Sequence, residues 1–320
     1  MINRCCWLDF SKGVAILLVI IGHALQYYLY PSTFSEEMSW RIVYSFHMPF
    51  FFILSGTAFS FSRKNGFSLF FIMSRLRRLM IPFVSWALVN MLIMTLINEK
   101  VSMLSYVINP AHGGLWYLWA LFYISIFFCF ITYVFTRIPY QLIASLLFYV
   151  ALIVLSNTAS GKFGLNEISR YFIFFVLGYY ARSLGWINYL VSSKKQCFLL
   201  FSAAVIIWCV AFFAFVPNSE NNFVNWIYKS SIALSGSTVA LLLCILMTSI
   251  KIPFKFVEMF GANTLGMYAV NTYIIYGLSV VLCNPRYFIV ALLLDIVLSY
   301  YASRIMSRFK ISNVLLLGNI

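Results

Sequence analysis

Ten long apolar runs constrain what this chain can fold into. They cover roughly residues 13–30, 42–62, 79–98, 114–135, 139–156, 170–186, 198–216, 229–250, 263–282 and 287–306. About 20 residues at ~1.5 Å each cross a ~30 Å hydrocarbon core as a helix. A helix also satisfies its own backbone hydrogen bonds inside lipid. With 63% hydrophobic and 9% charged residues, the chain is predicted to be an all-α polytopic membrane bundle of about ten helices.

The basic residues orient this bundle. With the N-terminus inside, the segments on the inner side carry 16 of the 22 lysines and arginines. This bias predicts an N-in, C-in topology and accounts for the formal charge of +14 without a nucleic-acid partner. The loops are short and contain no linker, so we expect one integral-membrane domain over residues 1–320. The seven cysteines lack metal-ligand spacing, so we expect no metal.

The first run places a cation and an imidazole in line. Lys12 and His23 are eleven residues apart, which on a helix means about 16 Å and nearly the same face. Asp9 lies one turn before Lys12. Ionisable groups at membrane depth are costly and mark candidate functional sites. The alternative is that Lys12 only anchors the helix at the inner surface, while His23 is a satisfied polar residue in the bundle.

Two further motifs follow the first run. In the second run, His47 lies at the outer, water-exposed helix end, and Ser55-Gly56 predicts a close contact with a neighbouring helix. The next loop ends with Arg75 and Arg78 at i, i+3, so the two side chains are expected to share a face. Their planar forks suit phosphate. The alternative is a topogenic basic cluster.

Three later runs carry polar or aromatic candidates. Trp116 and Trp119 open the fourth run, as interfacial belt residues or as platforms for a sugar ring. Asn271 ends a polar stripe in the ninth run. Asp295 is the acid that lies well inside an apolar run. A buried carboxylate needs a partner, and His23 is one candidate.

These motifs carry a family resemblance. WLDFSKGVAILLVIIGH, FHMPFFFILSG, SRLRRLMIPFVSW, LWYLWALF and GANTLGMYAVN follow in this order. The sequence resembles the membrane-bound acyltransferase 3 family, which includes O-acetyltransferases of bacterial surface polysaccharides. The family's hallmarks are a basic residue followed after ten positions by a histidine, matched by Lys12 and His23, and an R-x-x-R pair, matched by Arg75 and Arg78.

The chain departs from the family pattern at two places. Many members have histidine where this chain has Asn271, so no proton-transfer role is carried over to that position. Members that pass the acetyl group to an attached periplasmic domain have a long C-terminal extension. This chain resembles the stand-alone members that modify the sugar directly.

The resemblance implies transfer of an acyl group from cytoplasmic acyl-CoA, most often acetyl-CoA, to a hydroxyl of a cell-surface polysaccharide or its lipid-linked precursor. It implies a bacterial inner-membrane protein. His23 would act as general base or carry the acyl group itself. We expect acyl-CoA to be bound by Lys12, Arg75 and Arg78. As supporting residues we predict Asp9, His47, Trp116, Asn271 and Asp295.

Two other functions fit a polytopic chain. A transporter or flippase for polysaccharide intermediates would use the buried Asp295 and His23 for proton coupling. Against it stand the missing internal repeat and the alignment of Lys12 with His23, which a carrier does not need. A membrane scaffold without chemistry would leave that alignment unexplained.

Overall fold

The structure is a computed structural model that describes residues 6–62, 67–96, 101–214, 222–249 and 255–319. The described residues form fifteen α-helices and no strand. The helices are α1 (Cys6–Ala24), α2 (Met38–Ser62), α3 (Leu69–Arg75), α4 (Ile81–Leu96), α5 (Met103–Ile108), α6 (Trp116–Val134), α7 (Ile138–Thr158), α8 (Leu165–Ser183), α9 (Trp186–Ser192), α10 (Lys194–Cys209), α11 (Asn222–Ser249), α12 (Lys255–Ala262), α13 (Thr264–Leu282), α14 (Phe288–Arg308) and α15 (Lys310–Leu315).

Nine segments of the described chain are long and apolar enough to cross a membrane. They are Trp7–Leu29, Met38–Phe61, Leu69–Leu96, Trp116–Val134, Ile138–Thr158, Lys194–Phe213, Val224–Thr248, Thr264–Leu282 and Pro285–Arg308. They coincide with nine of the ten predicted runs and confirm the all-α polytopic fold. The sixth run coincides with α8, which includes Glu167, Arg170 and Arg182. Because of these charges, the composition of α8 does not by itself mark it as a span.

Three wide π turns extend or join the helices. Leu25–Leu29 continues α1, Leu76–Met80 joins α3 to α4, and Val210–Ala214 extends α10. A π turn has an i→i+5 hydrogen bond and occurs frequently at functional sites. Because it contains more residues per turn than an α-helix, the usual 100° step per residue does not hold across it. One of these turns begins two residues after His23, and another contains Arg78.

The chain divides into two compact units. The first comprises Met1–Leu54 and Tyr180–Ala302. Within it α1 packs against α11, α12 and α13, and α10 packs against α11. Glycines allow the closest approach of α1 to α12, because a Cβ added to Gly261 would lie 1.7 Å from the carbonyl oxygen of Asp9.

The second unit comprises Ser55–Tyr179 and Ser303–Ile320. Its core is aromatic, and the ring of Phe59 contacts four other rings, those of Phe71, Phe128, Phe175 and Tyr179. A Cβ on Gly56 would lie 1.9 Å from the carbonyl oxygen of Phe175. The Ser55 hydroxyl shares a 2.6 Å hydrogen bond with the hydroxyl of Tyr117. The predicted close helix contact at Ser55-Gly56 is therefore confirmed.

The orientation in the membrane and the single domain stay predictions. Part of the charge count rests on residues that lie outside the described ones, namely Arg4, Arg63, Lys64, Glu99, Lys100, Glu220 and Lys251.

Candidate functional site

Hydrogen bonds orient the His23 imidazole from α13. Its Nδ1 lies 2.6 Å from Oδ1 of Asn271. The amide nitrogen of Asn271 donates to the carbonyl oxygens of Met267 and Tyr268, so its oxygen is the atom that faces His23. Because a carbonyl oxygen only accepts, His23 Nδ1 is the donor, and Nε2 keeps its lone pair. The hydroxyl of Thr272 lies 3.1 Å from the same Nδ1.

Asp295 forms its hydrogen bond with Ser299 and not with His23. The hydroxyl of Ser299, one turn further along α14, donates to Asp295 Oδ1 at 2.9 Å. The carboxylate is fully buried, and its Oδ2 has no partner among the described residues. The suggested pairing of Asp295 with His23 is therefore wrong. Asn271 supplies the oxygen that His23 needs, and a neighbouring serine on its own helix satisfies one oxygen of Asp295.

His47 is buried instead of lying at an exposed helix end. Its side chain is 4% exposed, and its Nδ1 lies 2.9 Å from the carbonyl oxygen of Val43. The expectation of an exposed position is wrong because α2 begins at Met38, more than two turns before the histidine. The predicted apolar run began at residue 42 and gave no sign of this added turn.

Lys12 and Asp9 lie on the same uninterrupted α-helix as His23. α1 is regular from Cys6 to Ala24, so the 11-residue spacing does place Lys12 and His23 on nearly one face. Lys12 and Asp9 are half-buried. The prediction that Lys12 and His23 lie on one helix is confirmed. The roles of Lys12 and Asp9 stay predictions.

Arg75 and Arg78 of the basic motif have different surroundings in the second unit, and their role stays a prediction. Arg75 is half-buried, with its guanidinium 5.2 Å from the ring centroid of Phe59 and 5.3 Å from that of Phe71. Arg77 and Arg78 are both exposed, and both lie in the π turn that follows Arg75. Arg75 and Arg78 are three residues apart along this segment. Two cations held near each other favour an anionic ligand.

The two tryptophans of α6 differ in surroundings. Trp119 is 8% exposed, and its indole nitrogen donates to the carbonyl oxygen of Phe163 at 2.9 Å. The interpretation as an interfacial belt residue is therefore wrong for Trp119, because the loop before α8 covers it. Trp116 is half-buried, and its ring stacks on Tyr171 at 5.2 Å. One face of Trp116 is thus already occupied by an aromatic ring.

Sequence reasoning missed three residues around the histidines. Thr272 contacts His23, and the Tyr44 hydroxyl donates to Gln26 at 2.7 Å, one turn beyond His23. Only one signal in the sequence pointed to this contact. Gly22 precedes His23, and a small residue beside a polar one in a membrane helix favours close packing of a neighbour.

The described residues contain no group of three or more histidines, cysteines, aspartates or glutamates that could hold a metal ion. The residues predicted to bind acyl-CoA are Lys12 in the first unit and Arg75 and Arg78 in the second, and this role stays a prediction. The nitrogen lone pairs left by these hydrogen bonds are on Nε2 of His23 and Nε2 of His47, both in the first unit.

Comparison with known proteins identifies the class of protein. Residues 7–306 match the acyltransferase 3 family model, described as Acyltransferase domain. The chain belongs to this family, as the motifs indicated. It is 29% identical over 231 residues to Nodulation protein NolL of Mesorhizobium japonicum, covering 69% of this chain and 60% of that protein. It is 37% identical over 93 residues to Nodulation protein NolL of Sinorhizobium fredii, covering 26% of this chain and 24% of that protein.

Each match spans less than two thirds of the relative's length. No solved structure matches the chain significantly.

Proposed function

We propose that this protein is a membrane O-acyltransferase that moves an acyl group, acetyl in the first instance, from cytoplasmic acyl-CoA to a hydroxyl of a cell-surface polysaccharide or its lipid-linked precursor. The proposed location is the bacterial inner membrane. Membership of the acyltransferase family supports the reaction class. The observation that carries the proposal is the His23 imidazole in a membrane span, whose Nδ1 is held by Asn271 and whose Nε2 keeps a lone pair.

His23 Nε2 supports acyl transfer by either of two routes. As general base, it takes the proton of the hydroxyl while the oxygen attacks the thioester carbon, and it then returns that proton to the departing CoA thiolate. As nucleophile, Nε2 first takes the acyl group from CoA and the hydroxyl then takes it from Nε2. In both routes Asn271 holds the ring in the tautomer with the proton on Nδ1.

The donor is proposed to bind through its phosphates. Guanidinium groups recognise phosphate with two parallel hydrogen bonds, and Arg75, whose guanidinium lies over the rings of Phe59 and Phe71, supplies one such group. Arg78 and Lys12 are also proposed as acyl-CoA-binding residues. The predicted topology places all three on the cytoplasmic side, where acyl-CoA is found.

One observation favours a second candidate, a proton-coupled carrier of polysaccharide intermediates. Asp295 is fully buried in α14, and one of its oxygens is without a partner among the described residues. Buried carboxylates of this kind are typical of proton relays in transporters. The carrier, however, has no use for a histidine whose tautomer is fixed in line with a lysine.

Surface glycan from a deletion strain distinguishes the two candidates. We expect mass spectrometry and NMR to show polymer of normal amount that has lost its ester groups, restored by the wild-type gene. Loss of exported polymer would instead support the carrier. Normal polymer with all its esters would contradict both.

A further inference from the structure

Helices α1 and α2 meet at Gly22, next to His23. A Cβ added to Gly22 would lie 2.8 Å from Cε2 of Tyr44 and 3.5 Å from Cγ1 of Val43. The Tyr44 hydroxyl donates to Gln26 Oε1 at 2.7 Å on the other side of His23. The turn of α2 that contains Val43 and Tyr44 therefore lies against the turn of α1 that contains His23.

His47 is fixed by the same turn of α2. Its Nδ1 lies 2.9 Å from the carbonyl oxygen of Val43, which accepts and cannot donate, so Nδ1 carries the proton and Nε2 the lone pair. The Tyr44 ring packs edge-on against the imidazole with centroids 4.6 Å apart. His47 is thus a buried imidazole in the same tautomer as His23, and each is held by an oxygen atom of its surroundings.

Tyr44 connects the two imidazoles. Its ring packs against His47, and its Cε2 is the atom nearest to a Cβ added at Gly22, the residue before His23. Both rings also belong to the first unit, on helices in direct contact. Two nearby imidazoles with free Nε2 atoms can divide the work of a two-step transfer, one as nucleophile and one as base.

We propose that His47 is a second catalytic residue of the acyl transfer and accepts the proton of the acceptor hydroxyl. This inference rests on the proposed function, and it takes the second of its two routes, in which His23 Nε2 carries the acyl group. Once His23 Nε2 carries the acyl group, that nitrogen has no lone pair left, while its Nδ1 proton is engaged with Asn271. A different base must then activate the hydroxyl, and Nε2 of His47 supplies it.

The steps balance. His23 Nε2 attacks the thioester carbon, a C–N bond forms, the C–S bond breaks, and CoA leaves as the thiolate. The acceptor oxygen then attacks the acyl carbon while its proton passes to His47 Nε2, the C–N bond breaks, and His23 returns to its neutral form. His47 finally releases its proton to the thiolate, which gives CoA and the ester without any further reactant.

The variant His47→Asn separates the two halves of this reaction. The asparagine amide can still donate to the carbonyl oxygen of Val43 but offers no nitrogen lone pair. In purified full-length protein in nanodiscs with acetyl-CoA, we expect first-turnover CoA release within about twofold of wild type and an added acetyl mass on the protein. In cells, we expect the ester content of the surface glycan to fall by ~10²-fold or more.

Tyr44→Phe is the matched control, because it keeps the ring against His47 and removes the hydroxyl that donates to Gln26. We expect both readouts of this control to stay near wild type. Unchanged glycan ester in His47→Asn, or loss of CoA release together with ester, would overturn the inference. If His47→Asn does not purify like wild type, His47→Gln is judged by the same two readouts. Wild-type protein that releases no CoA would instead refute the proposed function itself.

Discussion

At the scale of single residues, the proposed chemistry depends on how Asn271 holds His23. Two donations to backbone carbonyls fix the asparagine amide, and its oxygen then fixes the imidazole proton on Nδ1. An amide in this position orients the ring without taking a proton itself. This accounts for an asparagine at a position where many members of the family have histidine.

Asn271→Ala tests this positioning role. Loss of one hydrogen bond of about 1.4 kcal/mol corresponds to about a tenfold loss of rate. We therefore expect kcat for acyl transfer to fall about tenfold, with KM for acetyl-CoA nearly unchanged. Steady-state kinetics with purified protein measure both. Thr272→Val is the control, and we expect an effect below about threefold because its contact with His23 is longer, 3.1 Å against 2.6 Å. Equal losses in both variants would contradict the role of Asn271.

The sequence predicts His23 but not its partner. Membrane depth and the spacing from Lys12 are local properties of one helix, and both can be counted along the chain. Asn271 is 248 residues away, and only the packing of α13 against α1 brings it to His23. For the same reason the sequence suggested Asp295 as a partner of His23, whereas in the structure Asp295 accepts a hydrogen bond from Ser299.

At the scale of elements, the π turn at Leu76–Met80 interrupts the regular α-helix inside the R-x-x-R motif. A regular helix would have set Arg75 and Arg78 on one face and Arg77 on another. In the structure Arg75 lies over aromatic rings, while Arg77 and Arg78 are exposed. The sequence does not predict the π turn, because the apolar and basic residues around it fit a regular helix equally well.

Lysine substitutions test whether the arginines bind phosphate. Lysine keeps the charge but lacks the planar fork, and lost charge-assisted contacts cost about 1.5–3 kcal/mol each. We expect Arg75→Lys and Arg78→Lys to weaken acetyl-CoA binding about tenfold to a hundredfold, and Arg77→Lys to have almost no effect. Calorimetry or tryptophan fluorescence on the purified variants gives the three affinities. Three equal affinities would leave only the topogenic role of this cluster.

Gly56 tests the helix contact that the sequence did predict. A Cβ there would lie 1.9 Å from the carbonyl oxygen of Phe175, so α2 and α8 would have to move apart. We expect Gly56→Ala to destabilise the protein by about 1–3 kcal/mol, seen as a lower Tm in detergent. Gly277→Ala is the control in α13, where nothing lies within 4 Å of the added Cβ. A Tm for Gly56→Ala equal to or above that of the control would contradict the contact.

At the scale of the whole molecule, the apolar runs predict the class of fold well. They predict the ends of the helices less accurately. Nine runs became apolar spans, because length and hydropathy are properties of each segment alone. α2 and the segment containing Arg75 begin earlier than their apolar runs. The added residues are mostly exposed, and a hydropathy pattern does not show where an exposed helix end begins. The charges of α8 leave its crossing to be decided by experiment.

Cysteine accessibility on both sides of α8 tests the topology. Lys162 and Ser192 are exposed and flank this helix. In a variant without native cysteines, we expect Lys162→Cys to react with an impermeant maleimide in intact cells, and Ser192→Cys only after permeabilisation. Labelling of both positions in intact cells, or of neither, would show that α8 does not cross the membrane.

The central claim is that His23 performs the acyl transfer, and its most direct test is transfer of labelled acetyl from acetyl-CoA to surface glycan. Membranes with equal amounts of wild-type protein or His23→Ala are supplied with radiolabelled acetyl-CoA, and label in the glycan is counted. We expect the variant to lose ~10²-fold or more of the label, as is typical when a general base or nucleophile is removed. Label in the variant within about twofold of wild type would contradict the claim.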